Sequence, residues 1–343
     1  MFSEEQVKQA LDKVLVPGAM RSLVQLNLVR NVEVSDSKVI LSLASAVLDD
    51  STQNWLKHKV HDAIMELPGV KDTEIAFVPA ELKDLNQISQ VVAVMSGKGG
   101  VGKSLVTSLL AISLARQGKE VGILDADITG PSIPKMFGMN NARPKGNDTG
   151  ILPVLSRSGI TIMSLNLLLE HEDDAVIWRG PVISSVIKQF WEEVLWGKLD
   201  YLLVDLPPGT ADASLTVMQS LPLSGVVIVF SPQELAAMVV RKSVQMAQKM
   251  NIPILGVVEN MSYLILPDSG KKLELFGKSK SEEMSKAAGA PLLAQIPIDL
   301  ELAQRCDKGE IEIYNSEVLT DLAQNFTQML SSRLKEYSKS ATE

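Results

Sequence analysis

The sequence contains a single cysteine, Cys306, in 343 residues. One thiol cannot close an internal disulfide or supply a four-thiolate metal site within one chain, and it suits a reducing compartment. Histidine is almost as scarce, with 3 in the chain. His58 and His61 stand three apart and read as a solvated helix face, while His171 lies among Glu170, Glu172, Asp173 and Asp174, an exposed acidic loop. No stretch approaches the ~18 uninterrupted apolar residues of a membrane-spanning helix. The opening Met1-Phe2-Ser3-Glu4-Glu5-Gln6 lacks the basic start and apolar run of a secretory leader, so a cytoplasmic location is expected. A net charge of −8 has the wrong sign for general attraction to nucleic acid. Neither nucleic acid nor membrane is therefore expected among the partners.

What remains has the composition of an ordinary folded protein, 45% apolar and 22% charged. At about 100–200 residues per domain the length points to two domains. Residues 1–80 read as a small α+β module. It has a helix over Glu4–Val14, strands near Val29–Val34 and Lys38–Leu43, a helix over Ser51–Glu66 and an alternating strand over Val70–Phe77. Residues 81–89 are polar and read as a linker. Residues 90–343 alternate short apolar strands with longer helical segments. The strands are Val91–Met95, Glu120–Leu124, Ile160–Leu165, Tyr201–Val204, Val226–Phe230 and Ile254–Val258. Such near-continuous apolar strands imply an α/β domain, a mostly parallel sheet covered by helices on both faces. Ligands of these sheets bind at the carboxyl ends of the strands.

The first of those ends carries chemistry. Strand Val91–Met95 runs into Ser96-Gly97-Lys98-Gly99-Gly100-Val101-Gly102-Lys103-Ser104, and a helix follows. This satisfies G-x-x-x-x-G-K-[ST] in the strand–loop–helix setting that the motif requires. Glycines at 97, 99, 100 and 102 free the backbone to aim successive N–H groups, including those of Val101 and Lys103, at phosphate oxygens. Lys103 is expected on the β- and γ-phosphates of ATP, and the Ser104 hydroxyl on Mg²⁺.

Two further strand ends are acidic. One reads Asp125-Ala126-Asp127 and the other Asp205-Leu206-Pro207-Pro208-Gly209. Phosphoryl transfer to water needs a held metal and a positioned nucleophile. Asp205 is placed to support the Mg²⁺ shell with Asp125 near it, and Asp127 to orient the attacking water. The turns at Gly130-Pro131 and Pro207–Gly209 look like loops that sense the γ-phosphate. Asn260, at the end of Ile254–Val258, is the candidate for the adenine edge. The Asn-Lys-x-Asp pattern used for guanine is absent, which favours ATP.

These segments recur together in a known family. "SGKGGVGKS", "DADITGPSIP", "WRGP", "LDYLLVDLPPGTAD", "PLSGVVIVFSPQELA" and "GVVENMSY" occur in order from Ser96 to Tyr263. The chain resembles the Mrp/ApbC/Nbp35 family of P-loop ATPases, relatives of MinD and ParA, over residues 90–310. Its N-terminal module is similar to the MIP18-type domain often fused to them. The resemblance implies a homodimer, ATP hydrolysis, and iron–sulfur cluster binding and delivery to apoproteins, with cluster-assembly proteins as partners. It also implies a catalytic role for Lys98, the lysine that in this deviant P-loop class reaches the partner's nucleotide. Members that hold a bridging cluster carry Cys-x-x-Cys just after "ENMSY". Here that stretch reads Leu264-Ile265-Leu266-Pro267-Asp268, with no cysteine. A spatial-organising ATPase of the MinD/ParA type, or a nucleotide-dependent switch, is the alternative. The apolar stripe Leu319, Leu322, Phe326, Leu330 and Leu334 near the C-terminus reads as a docked helix.

Overall fold

The computed structural model describes residues 2–127, 130, 132–139, 141–169, 180–209, 212–233 and 236–340. In chain order the elements are α1 (Glu4–Leu11), β1 (Val29–Ser35), β2 (Lys38–Ala44), α2 (Asp50–Met65), β3 (Asp72–Val78), α3 (Leu82–Leu85), β4 (Gln87–Met95), α4 (Lys103–Arg116), β5 (Val121–Asp125), α5 (Ile133–Met136), β6 (Lys145–Asn147), β7 (Gly150–Leu152), β8 (Val154–Leu155) and β9 (Thr161–Ser164). Then follow α6 (Gly180–Glu193), β10 (Lys198–Asp205), α7 (Asp212–Ser220), β11 (Gly225–Phe230), α8 (Ala236–Lys249), β12 (Ile254–Ile265), β13 (Lys272–Leu273), α9 (Ser281–Ala288), β14 (Leu292–Ile298), α10 (Leu300–Asp307) and α11 (Glu317–Ser340). The chain divides into two compact units.

The first unit comprises Met1–Ser89, Arg143–Leu155 and Gln189–Asp200. Its sheet has the order β1-β2-β3, with β1 antiparallel and β3 parallel to the central β2. The starts of α1 and α2 are specified locally. Ser3 accepts the Gln6 N–H while the Gln6 side chain returns to the Ser3 backbone, and Asp49 caps α2 through the Thr52 N–H. Leu56, Val60 and Ile64 of α2 and Leu41 and Leu43 of β2 are fully buried in one core. Residues 81–89, expected as a linker, hold α3 and the start of β4. Leu82 and Leu85 supply the apolar content that the short, polar segment conceals, and both enter this core. Leu152 and Leu195 from mid-chain join them. Arg21, 3% exposed, ties the same mid-chain stretch in place by donating to the carbonyls of Trp196 (2.7 Å) and Lys198 (2.9 Å).

The second unit holds the larger sheet, in which β12, β11, β4, β10, β5 and β9 are successive neighbours. β10 runs parallel to β5, β5 to β9, and β11 to both β4 and β12. Every residue of β11 is buried, as expected of a strand covered on both faces. α4 is buried through most of its length from Val106 to Leu114, so it behaves as an internal helix rather than an amphipathic one. It packs with α11, while α8 packs with α9. β12 continues past the expected end at Val258 to Ile265. The polar run Glu259-Asn260-Met261-Ser262 reads as loop, yet Glu259, Asn260 and Ser262 are buried and hydrogen-bonded. That satisfaction lets a polar sequence stay in a strand.

The C-terminal stripe is docked as far as Leu330, and the Leu334 side chain lies outside the described residues. Leu319, Leu322, Phe326 and Leu330 are buried against β12, β14 and α4, and the Phe326 ring meets Tyr201 edge-on at 5.7 Å and 64°. No described helix is long and apolar enough to cross a membrane. Replacing Phe326 with Ala removes a fully buried ring, and a urea melt is expected to show about 3–5 kcal/mol less stability. A loss below about 1 kcal/mol would mean that α11 is not part of the core.

Candidate functional site

The register of the larger sheet assembles the site. Asp205 pairs with Asp125 at the carboxyl ends of β10 and β5, and the loop leaving β4 lies in the same layer. In that loop Gly100 and Gly102 both have φ +79°, a conformation open to glycine and costly for other residues. Gly102 caps α4, so Lys103 and Ser104 are its first helical residues. Their N–H groups have no partner within the helix. Gly209 donates its N–H to the Ser96 carbonyl at 3.0 Å, which fastens the Pro207–Gly209 turn to the loop's first residue.

At the centre is the Asp205 carboxylate, fully buried. Oδ2 accepts from Lys103 Nζ at 2.7 Å and from the Ser104 hydroxyl at 2.5 Å, and Oδ1 accepts from the Thr107 hydroxyl at 2.7 Å. A buried carboxylate is tolerable only when paired and hydrogen-bonded, and here three side chains of one helix turn do both. Asp127 Oδ2 lies 3.6 Å from the same ammonium. Asp125, 1% exposed, accepts from the Ser164 hydroxyl at 3.0 Å and from the Asp127 N–H at 3.2 Å. Burial, reinforced by the neighbouring Asp205 charge, pushes the Asp125 carboxyl up to about 8.

Lys98, Asn260 and the loop glycines have described places. Lys98 donates from Nζ to the Gln233 side-chain oxygen, in the turn after β11, and its carbonyl accepts from the Ser96 hydroxyl at 3.0 Å. Asn260 points at the phosphate loop, where its amide donates to the Val101 carbonyl at 2.9 Å. Gly97 is half-buried, whereas Gly99 and Gly100 are exposed. The exposed His61 bonds Thr73 through Nδ1 at 2.6 Å. Pro131 of one expected sensing turn, and Trp178, Arg179 and His171, lie outside the described residues.

Sequence reading missed Thr107, Ser164 and Gln233. Thr107 sits three residues after Ser104 and four after Lys103, the spacing that puts side chains on one helix face, so it was discoverable. Ser164 and Gln233 depend on the pairing of distant strands and carry no local signal.

With this geometry established, the likeness to other proteins is specific. Residues 87–333 match the model of the NUBPL iron-transfer P-loop NTPases, and residues 4–77 match that of an iron-sulfur cluster assembly protein family. An iron-sulfur cluster carrier protein of Clostridium perfringens is 48% identical over 70% of this chain and 87% of its own length. One from Synechocystis is 36% identical over 96% of this chain and 99% of its own. A nucleotide-binding protein from Archaeoglobus fulgidus, solved in complex with ADP, is 47% identical and superposes with a TM-score of 0.62. It covers 69% of this chain and 93% of its own.

The raised Asp125 pKa has a consequence for stability. The unfolded carboxyl ionises near pH 4, whereas the folded one holds its proton to about 8. Between those values only the folded state keeps the proton, so its contribution is complete at low pH and is lost as pH rises through about 8. Melting of the nucleotide-free protein followed from pH 5 to about 9 is expected to show this decline, and Asp125→Asn to flatten it. Parallel curves for parent and variant would refute the assignment.

Proposed function

This chain belongs to the NUBPL iron-transfer P-loop NTPase family, and from that premise we propose that it hydrolyses Mg-ATP to drive iron–sulfur cluster assembly or delivery to apoproteins. The reading is carried by a formed phosphate loop whose lysine and serine converge on one buried carboxylate. The resemblance of nearly the whole chain to cluster carriers supplies the cargo.

Ser104 and Asp205 present adjacent hard oxygen donors, the set that suits Mg²⁺, with Asp125 beside them. When bound, that ion neutralises charge on the β- and γ-phosphates. The chain's own residues do the rest. Loop N–H groups bind the phosphates, and Lys103, already in the layer, turns from Asp205 to the phosphate oxygens. Asp127 orients the water that attacks the γ-phosphorus. Lys98 leaves Gln233 and brings its charge to the nucleotide of a second copy, so the working unit is a homodimer. The base is adenine.

The chain's own ligands do not fit a resident cluster. Iron–sulfur clusters are held chiefly by thiolates. Cys306 is half-buried, and burial, with Asp307 nearby, pushes its thiol up to about 11, so it stays protonated at neutral pH. Among the described residues no group of three or more His, Cys, Asp or Glu could hold a metal ion. The cluster is therefore cargo held by a partner's ligands while this chain supplies the nucleotide cycle. A spatial-organising role finds no support in α11, whose described apolar stripe is spent on the core.

Calorimetry is expected to show Mg-ATP binding by the parent and at least about tenfold weaker binding by Lys103→Ala, which removes a charged phosphate contact. Asp127→Asn is expected to bind ATP like the parent but to release phosphate roughly a hundredfold more slowly. Equal turnover in parent and Asp127→Asn would remove Asp127 from the mechanism. Anaerobic treatment with iron and sulfide, followed by metal and sulfide counts, is expected to give no stoichiometric cluster. A stable one would show that ligands other than Cys306 suffice.

A further inference from the structure

We infer that Asn260 acts as a positioning residue that presets the phosphate loop, rather than as the reader of the base. The inference rests on the loop being the nucleotide site.

Three observations converge on it. The Asn260 side chain is 1% exposed and donates to the Val101 carbonyl at 2.9 Å. That carbonyl belongs to the Val101–Gly102 peptide. In a planar trans peptide the C=O and the following N–H point in opposite directions. Holding the carbonyl inward therefore turns the Gly102 N–H outward, the orientation a ring of phosphate-binding amides needs. Second, a Cβ built on Gly102 would lie 2.1 Å from Asn260 Nδ2. The amide thus fills the space that an absent side chain leaves, and the two residues interlock. Third, the strand beneath is shaped and fixed for this. Met261 adopts φ +56°, rare for a residue with a side chain, and the β12–β14 register breaks between Asn260 and Leu264. Such irregularities re-aim side chains next to functional sites.

The neighbour Glu259 is held just as firmly. Its buried carboxylate accepts from the Ser262 hydroxyl (2.6 Å), the Ser279 hydroxyl (2.7 Å), the Lys280 N–H (2.7 Å) and Gln295 Nε2 (2.9 Å). With Glu259 anchored, the strand end has little freedom, and Asn260 transmits that rigidity to one peptide of the loop. A preset donor costs no reorganisation when the anion arrives.

Inorganic tripolyphosphate separates a loop function from a base function, because it carries the phosphates without the base. Binding of ATP, ADP and tripolyphosphate is compared by calorimetry for the parent, Asn260→Leu, which keeps volume without a donor, and Asn260→Ala. Melts establish the folded fraction of each, and affinity is referred to that fraction. The expected result is a loss of roughly tenfold, similar for all three ligands, the scale of one hydrogen bond. KM for ATP should rise while kcat changes less than about threefold. Loss for ATP and ADP with tripolyphosphate unaffected would make Asn260 a base reader and overturn the inference, as would unchanged binding of all three. A parent that binds ATP but not tripolyphosphate would show that the loop is not preset, which also overturns it. A parent that binds neither would instead defeat the nucleotide-site reading itself.

Discussion

The buried Asp205 carboxylate is the constraint around which the site is organised. Removing such a charge from water is costly, and only donors placed on all sides make it tolerable. Lys103, Ser104 and Thr107 supply those donors from the first turn and a half of α4. Anchoring the carboxylate therefore also fixes the rotation of α4 about its axis, and with it the end of the phosphate loop. Placement of Asp205 in turn follows from strand register, because β10 lies beside β5 and puts two acids level with one another. One of them, Asp205, faces an ammonium ion. The other, Asp125, accepts from a hydroxyl and an amide among the described residues, and its burial, with the Asp205 charge beside it, raises its pKa.

Much of this was readable in the residues because it is local. A strand, a glycine-rich turn and a helix in succession need no knowledge of tertiary contacts, and the acids at 125 and 205 each end an apolar run, with Asp127 two residues beyond the first. What lay beyond reading depends on distant pairing. Asn260 follows an apolar strand and so suggests a base-edge contact, yet β12 delivers its amide to the loop of β4 through a break in register that no composition announces. Gln233 meets Lys98 only because β11 lies next to β4. Thr107 is the instructive case, since simple helical spacing from Ser104 would have found it.

Oxygen and nitrogen donors and sulfur donors are unequally supplied in this chain. The glycine-rich loop with its lysine and the acids at 125, 127 and 205 lie together at the strand ends. The sulfur that a resident cluster calls for is reduced to one thiol, itself kept protonated by burial. After Tyr263 this sequence carries leucine, isoleucine and proline, with Ile265 exposed.

The make-up of the first unit has a practical meaning for anyone wishing to dissect the molecule. Its core includes Leu152 and Leu195, and Arg21 grips the backbone at Trp196, so the unit is written in three separated stretches of sequence. A stop codon after Ser89 would strip those pieces away and leave apolar walls facing water. Grafting the N-terminal segment onto another ATPase would meet the same difficulty unless the recipient brought matching mid-chain strands. What looks in linear order like a detachable module is, in three dimensions, sewn to the middle of the chain.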